Sequence, residues 1–219
     1  MNADFWNNKW RNNEIGFHLI EVNALLTDNI HQLKLPEASR LFLPLCGKTL
    51  DIGWLLESGY QVVGIELIES AIEQLFSELA VKPQIESVGR LKCYQASNVK
   101  IFAGDFFDLS TSDLGDVDAV YDRASLIALP EQERKHYAAH LATITKRAPQ
   151  LLVNLDYDQS QLQGPPFAVT EEEIKRFYSS HYKIELVKQS EVDGGLKGKC
   201  KATENVWLLT PSAKAISLD

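Results

Sequence analysis

Long apolar runs are missing from this chain: none comes near the ~18 residues that a membrane-spanning helix needs, and the opening MNADFWNNKW has no basic segment leading into an apolar one. A soluble, cytoplasmic protein is the expectation. Cysteine is scarce as well. Cys46, Cys93 and Cys200 are 3 in number and widely spaced, which argues against a disulfide framework and a zinc-ligand set and fits a reducing compartment. No basic run offsets the formal net charge of -8, so neither nucleic acid nor an anionic membrane is expected as a partner, and small molecules are. Internal repeats and low-complexity tracts are absent too. One domain spanning residues 1–219 accounts for the sequence, and a chain of that length buries about 70% of its unfolded surface, enough for a sizeable core.

The most informative stretch is residues 40–66, RLFLPLCGKTLDIGWLLESGYQVVGIE, which reads as strand, tight turn, helix, strand and a lone carboxylate. Residues 41–43 form a short apolar run ended by Pro44. The turn Leu45-Cys46-Gly47-Lys48 leads into a helix with Leu50, Trp54 and Leu55 on its apolar face, stopped at Gly59. Residues 61–65 are a second apolar run with Glu66 at its carboxyl end, about twenty residues beyond the turn, where open parallel sheets place the acid that binds ribose hydroxyls.

Of 12 glycines in the chain, only Gly47 falls in this turn. Dinucleotide sites use several, so that backbone amides can approach a pyrophosphate. Gly47-Lys48-Thr49 also fails as a phosphate loop, because Phe42 stands where that loop requires an upstream glycine. A ligand with adenosine, no phosphate and a positive sulfonium suits a one-glycine turn, an acidic strand end and an acidic chain. That ligand is S-adenosylmethionine. Other readings stay open on these residues alone: an ordinary βαβ unit with a solvated Glu66, a nicotinamide-dependent reductase opposed by the missing glycines, and a non-catalytic protein that binds the same cofactor.

Further along, Ile68, Ala71, Ile72, Leu75, Phe76 and Leu79 have helical spacing. Residues 81–98 read as a polar, irregular insertion with Cys93, Tyr94 and Gln95 in a short strand. Residues 99–103 and 117–121 are strands followed by Gly104-Asp105-Phe106-Phe107-Asp108 and by Asp122-Arg123, polar endings at the edge where open sheets bind ligands. A helix over 130–145 turns Tyr137, Leu141 and Ile144 inward, and residues 150–155 make a fifth parallel strand. The loop at 159–169 contains Pro165-Pro166, after which Thr170 and Glu173 form a capping box for a helix with Ile174, Phe177 and Tyr178 inward. Residues 182–189 and 204–210 form a closing antiparallel hairpin.

Four separated segments, FWNNKWRNNEIGFH at 5–18, PLCGKTLDIGWL at 44–55, DR at 122–123 and GPPF at 164–167, resemble those of the bacterial thiopurine S-methyltransferases, in order and over nearly the full length. The resemblance implies an α/β, Rossmann-like class I methyltransferase fold: a seven-stranded, mostly parallel sheet with helices on both faces and an antiparallel C-terminal hairpin. It implies S-adenosyl-L-methionine as cofactor and S-adenosyl-L-homocysteine as product. The implied acceptors are small aromatic or heterocyclic thiols such as thiopurines, with selenium and tellurium compounds beside them; separately, a monomer and no metal are expected, although the sequence does not fix the oligomeric state. Cofactor contacts fall on Trp6, Trp10, Leu45, Gly47, Glu66, Asp105, Phe106 and Arg123, substrate contacts on Phe17 and Phe167, and residues 1–20 are expected as a lid over the cofactor. The glycine-rich turn of the wider superfamily is reduced here to Leu45-Cys46-Gly47, a form the narrower family shares.

Glu66 is expected to accept hydrogen bonds from both ribose hydroxyls. The Arg123 fork suits the methionine carboxylate or a place near the substrate, and a salt bridge with Asp122 or another acid is its structural alternative. Trp6 and Trp10, four apart, share a face if their segment is helical, either packed on the domain or contacting a sulfonium by cation-π attraction. Phe17 and Phe167 would line an apolar slot. His18, between Phe17 and Leu19, reads as a packing residue and is assigned no role, nor is Asp122. A sulfonium methyl is already activated, so in-line transfer to a thiolate needs no general base and mainly requires the nucleophile roughly 3 to 3.5 Å away in a dry site. Positioning is the expected catalytic device, Arg123 its one candidate catalytic group, and Cys46 is expected to have no covalent role.

Overall fold

The computed structural model describes residues 3–212. Residues 1–2 of the expected lid and residues 213–219 of the expected domain lie outside the described residues. Helices α1 (Ala3–Arg11) and α2 (Ala24–Asn29) precede a sheet formed by β1 (Arg40–Pro44), β2 (Gln61–Glu66), β3 (Gln84–Val88), β4 (Leu91–Ala96), β5 (Val99–Ala103), β6 (Ala119–Arg123), β7 (Gln150–Tyr157), β8 (Tyr182–Glu191) and β9 (Ala202–Pro211). Between the strands lie α3 (Asp51–Glu57), α4 (Glu69–Glu78), α5 (Thr111–Leu114), α6 (Glu131–Ile144) and α7 (Glu171–Tyr178).

The strands lie in the order β3-β4-β5-β2-β1-β6-β7-β9-β8. β5, β2, β1, β6 and β7 are parallel, and the closing β8–β9 hairpin is antiparallel, as the sequence predicts. The sheet has 9 strands rather than the expected seven. Residues 81–98, expected as an irregular insertion, supply the extra pair: β3 and β4 form an antiparallel hairpin that extends the sheet beyond β5. The physical reason it escapes the pattern is exposure. Gln84, Ile85, Glu86 and Ser87 of β3 are all solvent-exposed, so no alternation of apolar and polar residues marks the strand.

Central strands carry apolar residues on both faces, as in β2, where Val62, Val63 and Ile65 are buried. One core, with Phe102, Phe106, Tyr137, Leu141 and Trp207, packs under α6 and α7. The other, with Leu26, Leu41, Leu55, Ile72 and Phe76, packs under α2, α3 and α4. The 3.6-residue spacing of Ala71, Ile72, Leu75 and Phe76 gives α4 this buried stripe. From β1 the chain moves outward through β2 to β5, then returns and builds β6 and β7 on the other side of β1. The direction reverses between β1 and β6, which opens a crevice at the carboxyl ends of these strands. Ser125, just past β6, fastens its two banks by donating its hydroxyl to the Pro44 carbonyl at 3.0 Å.

Candidate active site

The turn after β1 is held in an unusual backbone conformation. Leu45 (φ 46°) and Gly47 (φ 54°) are both left-handed, costly for Leu45 and free for glycine. The Cys46 N–H donates to the Ile65 carbonyl at 3.0 Å, and the carboxylate of Glu66 fastens the rest: Oε2 accepts the Gly47 N–H at 2.8 Å and Oε1 accepts the Ile68 N–H at 2.9 Å. Burial pushes the Glu66 carboxyl above its usual range, and these amides pull it back. Glu66 is thus both the strand-end acid the sequence predicts and the pin of the turn. Burial also raises the Cys46 thiol well above its usual range, with Glu66 adding to the shift, so the thiol stays protonated and takes no nucleophilic part.

Trp10 lies directly on this turn. A Cβ at Gly47 would come within 3.3 Å of its ring, so glycine serves here for space as well as for φ. Trp10 is buried with Ile68 and Ala71, and Trp6, Ile15 and Leu67 pack around them. Phe17 meets both tryptophans edge-on, with ring centroids 5.8 Å from Trp6 and 5.7 Å from Trp10. The N-terminal segment is therefore a helix packed by its aromatic face onto the Gly47 turn.

On the same bank of the crevice, Gly104 donates to the Glu66 carbonyl at 3.0 Å, which sets Asp105 beside the end of β2. Asp105 caps the next turn by accepting the Phe107 N–H at 3.0 Å. The Phe106 side chain is fully buried, packed on Tyr137 and His140, which leaves its backbone as the part that could meet a ligand. Burial of a whole phenylalanine contributes roughly 1.5 to 3 kcal/mol, and core packing is the role of this ring. Arg123 ends β6 half-buried, and its guanidinium has no hydrogen bond or ion pair with another side chain among the described residues. The salt bridge with Asp122 does not form, because Asp122 points to the opposite face of the strand and accepts the Tyr137 hydroxyl at 2.8 Å. Burial lowers the His18 imidazole below its usual range, with Lys48 and then Arg123 adding to the shift, so His18 stands neutral beside these cations.

Next to the aromatic cluster is a cavity of about 170 Å³ between α1 and two loops, lined by Phe5 and Trp6, by Ala128, Leu129, Pro130 and Glu133, and by Pro165 and Phe167. Phe167 lines this cavity; Phe17 does not, and its ring packs on Trp6, which does. At Gly164 (φ 76°) a Cβ would overlap the Phe167 ring, so glycine lets the loop fold tightly over its own aromatic.

A sequence profile of the thiopurine S-methyltransferase family (TPMT) matches residues 1–211. The chain belongs to the thiopurine S-methyltransferase family. Relatives of that description include one from Gluconobacter oxydans, 49% identical over 210 residues and covering 96% of each chain, and one from Teredinibacter turnerae, 47% identical over 210 residues, covering 96% of this chain and 98% of its own. Among solved structures, a SAM-dependent methyltransferase from Anabaena variabilis aligns with a TM-score of 0.66 at 17% identity, covering 96% of this chain and 95% of its own. A Burkholderia thailandensis 1,6-didemethyltoxoflavin-N1-methyltransferase, solved with its substrate and S-adenosylhomocysteine, aligns at 0.63 with 15% identity, covering 95% of this chain and 87% of its own. These two likenesses establish the class I methyltransferase fold.

Within this thiopurine S-methyltransferase family chain, several residues at the crevice were invisible to sequence reasoning. Asp51, buried in the first turn of α3, accepts the Asn23 N–H at 2.8 Å and the Tyr121 hydroxyl at 3.1 Å, tying the N-terminal segment to β6. His140 brings Nε2 to the carbonyls of Phe106 (3.2 Å) and Leu109 (3.1 Å) and so fixes the turn after Asp105. Arg134 is buried behind the slot. Apart from Leu129, five residues before Arg134, their partners are distant in sequence, so no local spacing announces them.

Proposed function

We propose that this chain, a S-adenosyl-L-methionine-dependent thiopurine S-methyltransferase, holds its cofactor along the carboxyl edge of β1, β2, β5 and β6 and takes its thiol in the slot between α1 and the Phe167 loop. The observation that carries the placement is Trp6, which belongs at once to the aromatic cluster over the Gly47 turn and to the slot wall. The residues fit the cofactor's chemistry. Each Glu66 oxygen accepts one backbone amide and keeps a lone pair for a ribose hydroxyl. One glycine, its Cβ space filled by Trp10, leaves no phosphate cradle.

When bound, S-adenosyl-L-methionine supplies an activated methyl group on its sulfonium. The chain's own residues then position and desolvate. Glu66 and the backbone at Leu45 and Gly47 hold the ribose side, Asp105 and the Phe106 backbone the adenine side, and Trp10 covers them from α1. Arg123 brings a positive charge to the carboxyl end of β6, where it binds a carboxylate and favours the thiolate over the thiol. Trp6 and Phe167 give the acceptor an apolar, water-poor wall. Residues 3–20 act as the cover, and no side chain is asked to move a proton. Because the slot selects for softness and shape, selenols and tellurium oxyanions are further acceptors.

The test is methyl transfer from labelled cofactor to 6-mercaptopurine, benzenethiol, a selenol and tellurite. The expected product is the S-methyl thiopurine; cofactor binding without transfer to any of these acceptors would refute the reading. Phe167→Ala tests the slot separately. It should raise the KM for 6-mercaptopurine about tenfold by removing uniform binding while S-adenosyl-L-homocysteine affinity stays put. An unchanged KM places the acceptor elsewhere.

A further inference from the structure

Besides α1, the slot is walled by two segments from distant parts of the chain: the turn at 126–130 after β6, and the loop at 164–169 after β7. Their backbones meet once, where the Phe167 N–H donates to the Ile127 carbonyl at 2.7 Å. Behind them sits Arg134 on the first turns of α6, with 4% of its side chain exposed. Its Nε donates to the Leu129 carbonyl at 2.9 Å, on one wall, and its Nη1 donates to the Ala168 carbonyl at 2.9 Å, on the other. The same Nη1 lies 2.9 and 3.0 Å from the two oxygens of Glu173, and the guanidinium carbon stands 5.8 Å from the centroid of the Phe167 ring. Glu173 is in turn fixed by its place in the capping box of α7.

A planar fork with donors in fixed directions suits this task in a way that a flexible ammonium does not. One cation spans two carbonyls, one carboxylate and one ring, all in rigid register. Arg134 does not line the cavity. Its contacts tie the Leu129 carbonyl to the carbonyl of Ala168, next in the chain to Phe167.

We propose that Arg134 is a positioning residue that fixes the width of the acceptor slot, and so selects for flat acceptors large enough to touch both walls. The proposal rests on the reading of this cavity as the acceptor site. The device is costly to hold in a protein interior unless its geometry is complete, and here two carbonyls and a carboxylate complete it. Without the fork, the backbone link from Phe167 to Ile127 remains, as do the bonds from the Tyr157 hydroxyl to the Pro166 carbonyl at 2.6 Å and from the Ala168 N–H to Gln159 at 2.7 Å, but the Leu129 and Ala168 carbonyls lose the group that ties one to the other.

The experiment compares a two-ring and a one-ring thiol, 6-mercaptopurine and benzenethiol, in Arg134→Met and in Arg134→Met/Glu173→Gln. The double variant keeps an N-terminal cap on α7 and strands no buried carboxylate, so it is read if the single variant does not fold. Arg134→Lys is the conservative control. For 6-mercaptopurine, kcat/KM should fall about ten- to a hundredfold, as misplacement by an ångström can do, while for benzenethiol it falls less than about threefold, a loss of binding area alone. Calorimetric affinity for S-adenosyl-L-homocysteine should be unchanged. Arg134→Lys, which reaches one wall only, should fail to restore the preference for the larger thiol. Equal losses for both thiols, a parallel loss of cofactor-product affinity, or no loss at all would each overturn the proposal. Phe167→Ala separates the two readings: if it raises KM while the Arg134 variants behave as the parent, the slot stands and the role of Arg134 falls; if it too leaves KM unchanged, the slot reading itself has failed.

Discussion

The carboxylate of Glu66 accepts the Gly47 amide through one oxygen and the Ile68 amide through the other, so Glu66→Gln must turn an NH2 group toward one of these N–H donors. The turn loses a fastening and the ribose loses charge-assisted bonds together. S-adenosyl-L-homocysteine affinity measured by calorimetry should drop at least about tenfold, equivalent to about 1.4 kcal/mol; full affinity in the variant would remove Glu66 as the anchor. Asp122 offers a prediction of different kind. Burial raises its carboxyl from 3.8 to about 6, against the pull of the Tyr137 hydroxyl and of Ser125 beside it. Ser125 gives its hydroxyl to Pro44, and Oδ1 of Asp122 is left without a hydrogen bond. Between the unfolded and folded values the native state binds more protons than the unfolded one, so this group makes stability fall as pH rises from about 4 to about 6, by up to about 3 kcal/mol. Asp122→Asn, still able to accept from Tyr137, should therefore gain on the parent at pH 7 and not at pH 4. Urea midpoints at the two pH values decide it, and an equal difference at both would show that the carboxyl carries no such penalty.

The elements differ in how plainly their sequences declare them. β1, the Gly47 turn, α3 and β2 were readable because the apolar period switches from strand to helix and back within one stretch, with Gly59 stopping the helix. α7 was readable from its cap and the apolar face of Ile174, Phe177 and Tyr178: Thr170 accepts the Glu173 N–H and Glu173 accepts the Thr170 N–H, both at 3.3 Å. Thr170→Ala should cost about 1 kcal/mol, seen as a drop of a few degrees in the thermal midpoint, and a variant that melts with the parent would mean the cap is redundant with Glu173–Arg134. β3 was not readable, since a strand wet on both faces has no reason to alternate. Its partner β4 is held to α4 by Lys92 and Tyr94 meeting Glu69, a contact across more than twenty positions. The same holds for the site. Glu66, Trp10, Gly47 and Phe167 stand at places that strand ends, helical spacing and the family resemblance mark, whereas Arg134, His140 and Asp51 act on backbone atoms of segments that only the fold brings near.

At both margins of the sheet the outermost strand is charged: Glu86 projects from β3, and Lys183, Glu185 and Lys188 from β8, which also carries a register shift between Leu186 and Lys188. Charges and bulges on edge strands oppose pairing between sheets of two molecules, and a net charge of -8 adds repulsion. A monomer is expected, so sedimentation should give the mass of one chain at low and at high salt; a dimer persisting at both would mean another face pairs. The placement of the four tryptophans has an optical consequence. Trp54, on α3, packs partly buried against the core and Trp207 of β9 donates to Asn154 of β7 at 2.7 Å, neither of them in the aromatic cluster, while Trp6 and Trp10 overlie the turn. Intrinsic emission should split into a silent pair and a responsive pair: titrating S-adenosyl-L-homocysteine into a Trp54→Phe/Trp207→Phe protein should retain the whole spectral change, and replacing Trp10 by Phe should remove most of it, so that the helix covering the crevice also reports, by its own light, when the crevice is filled.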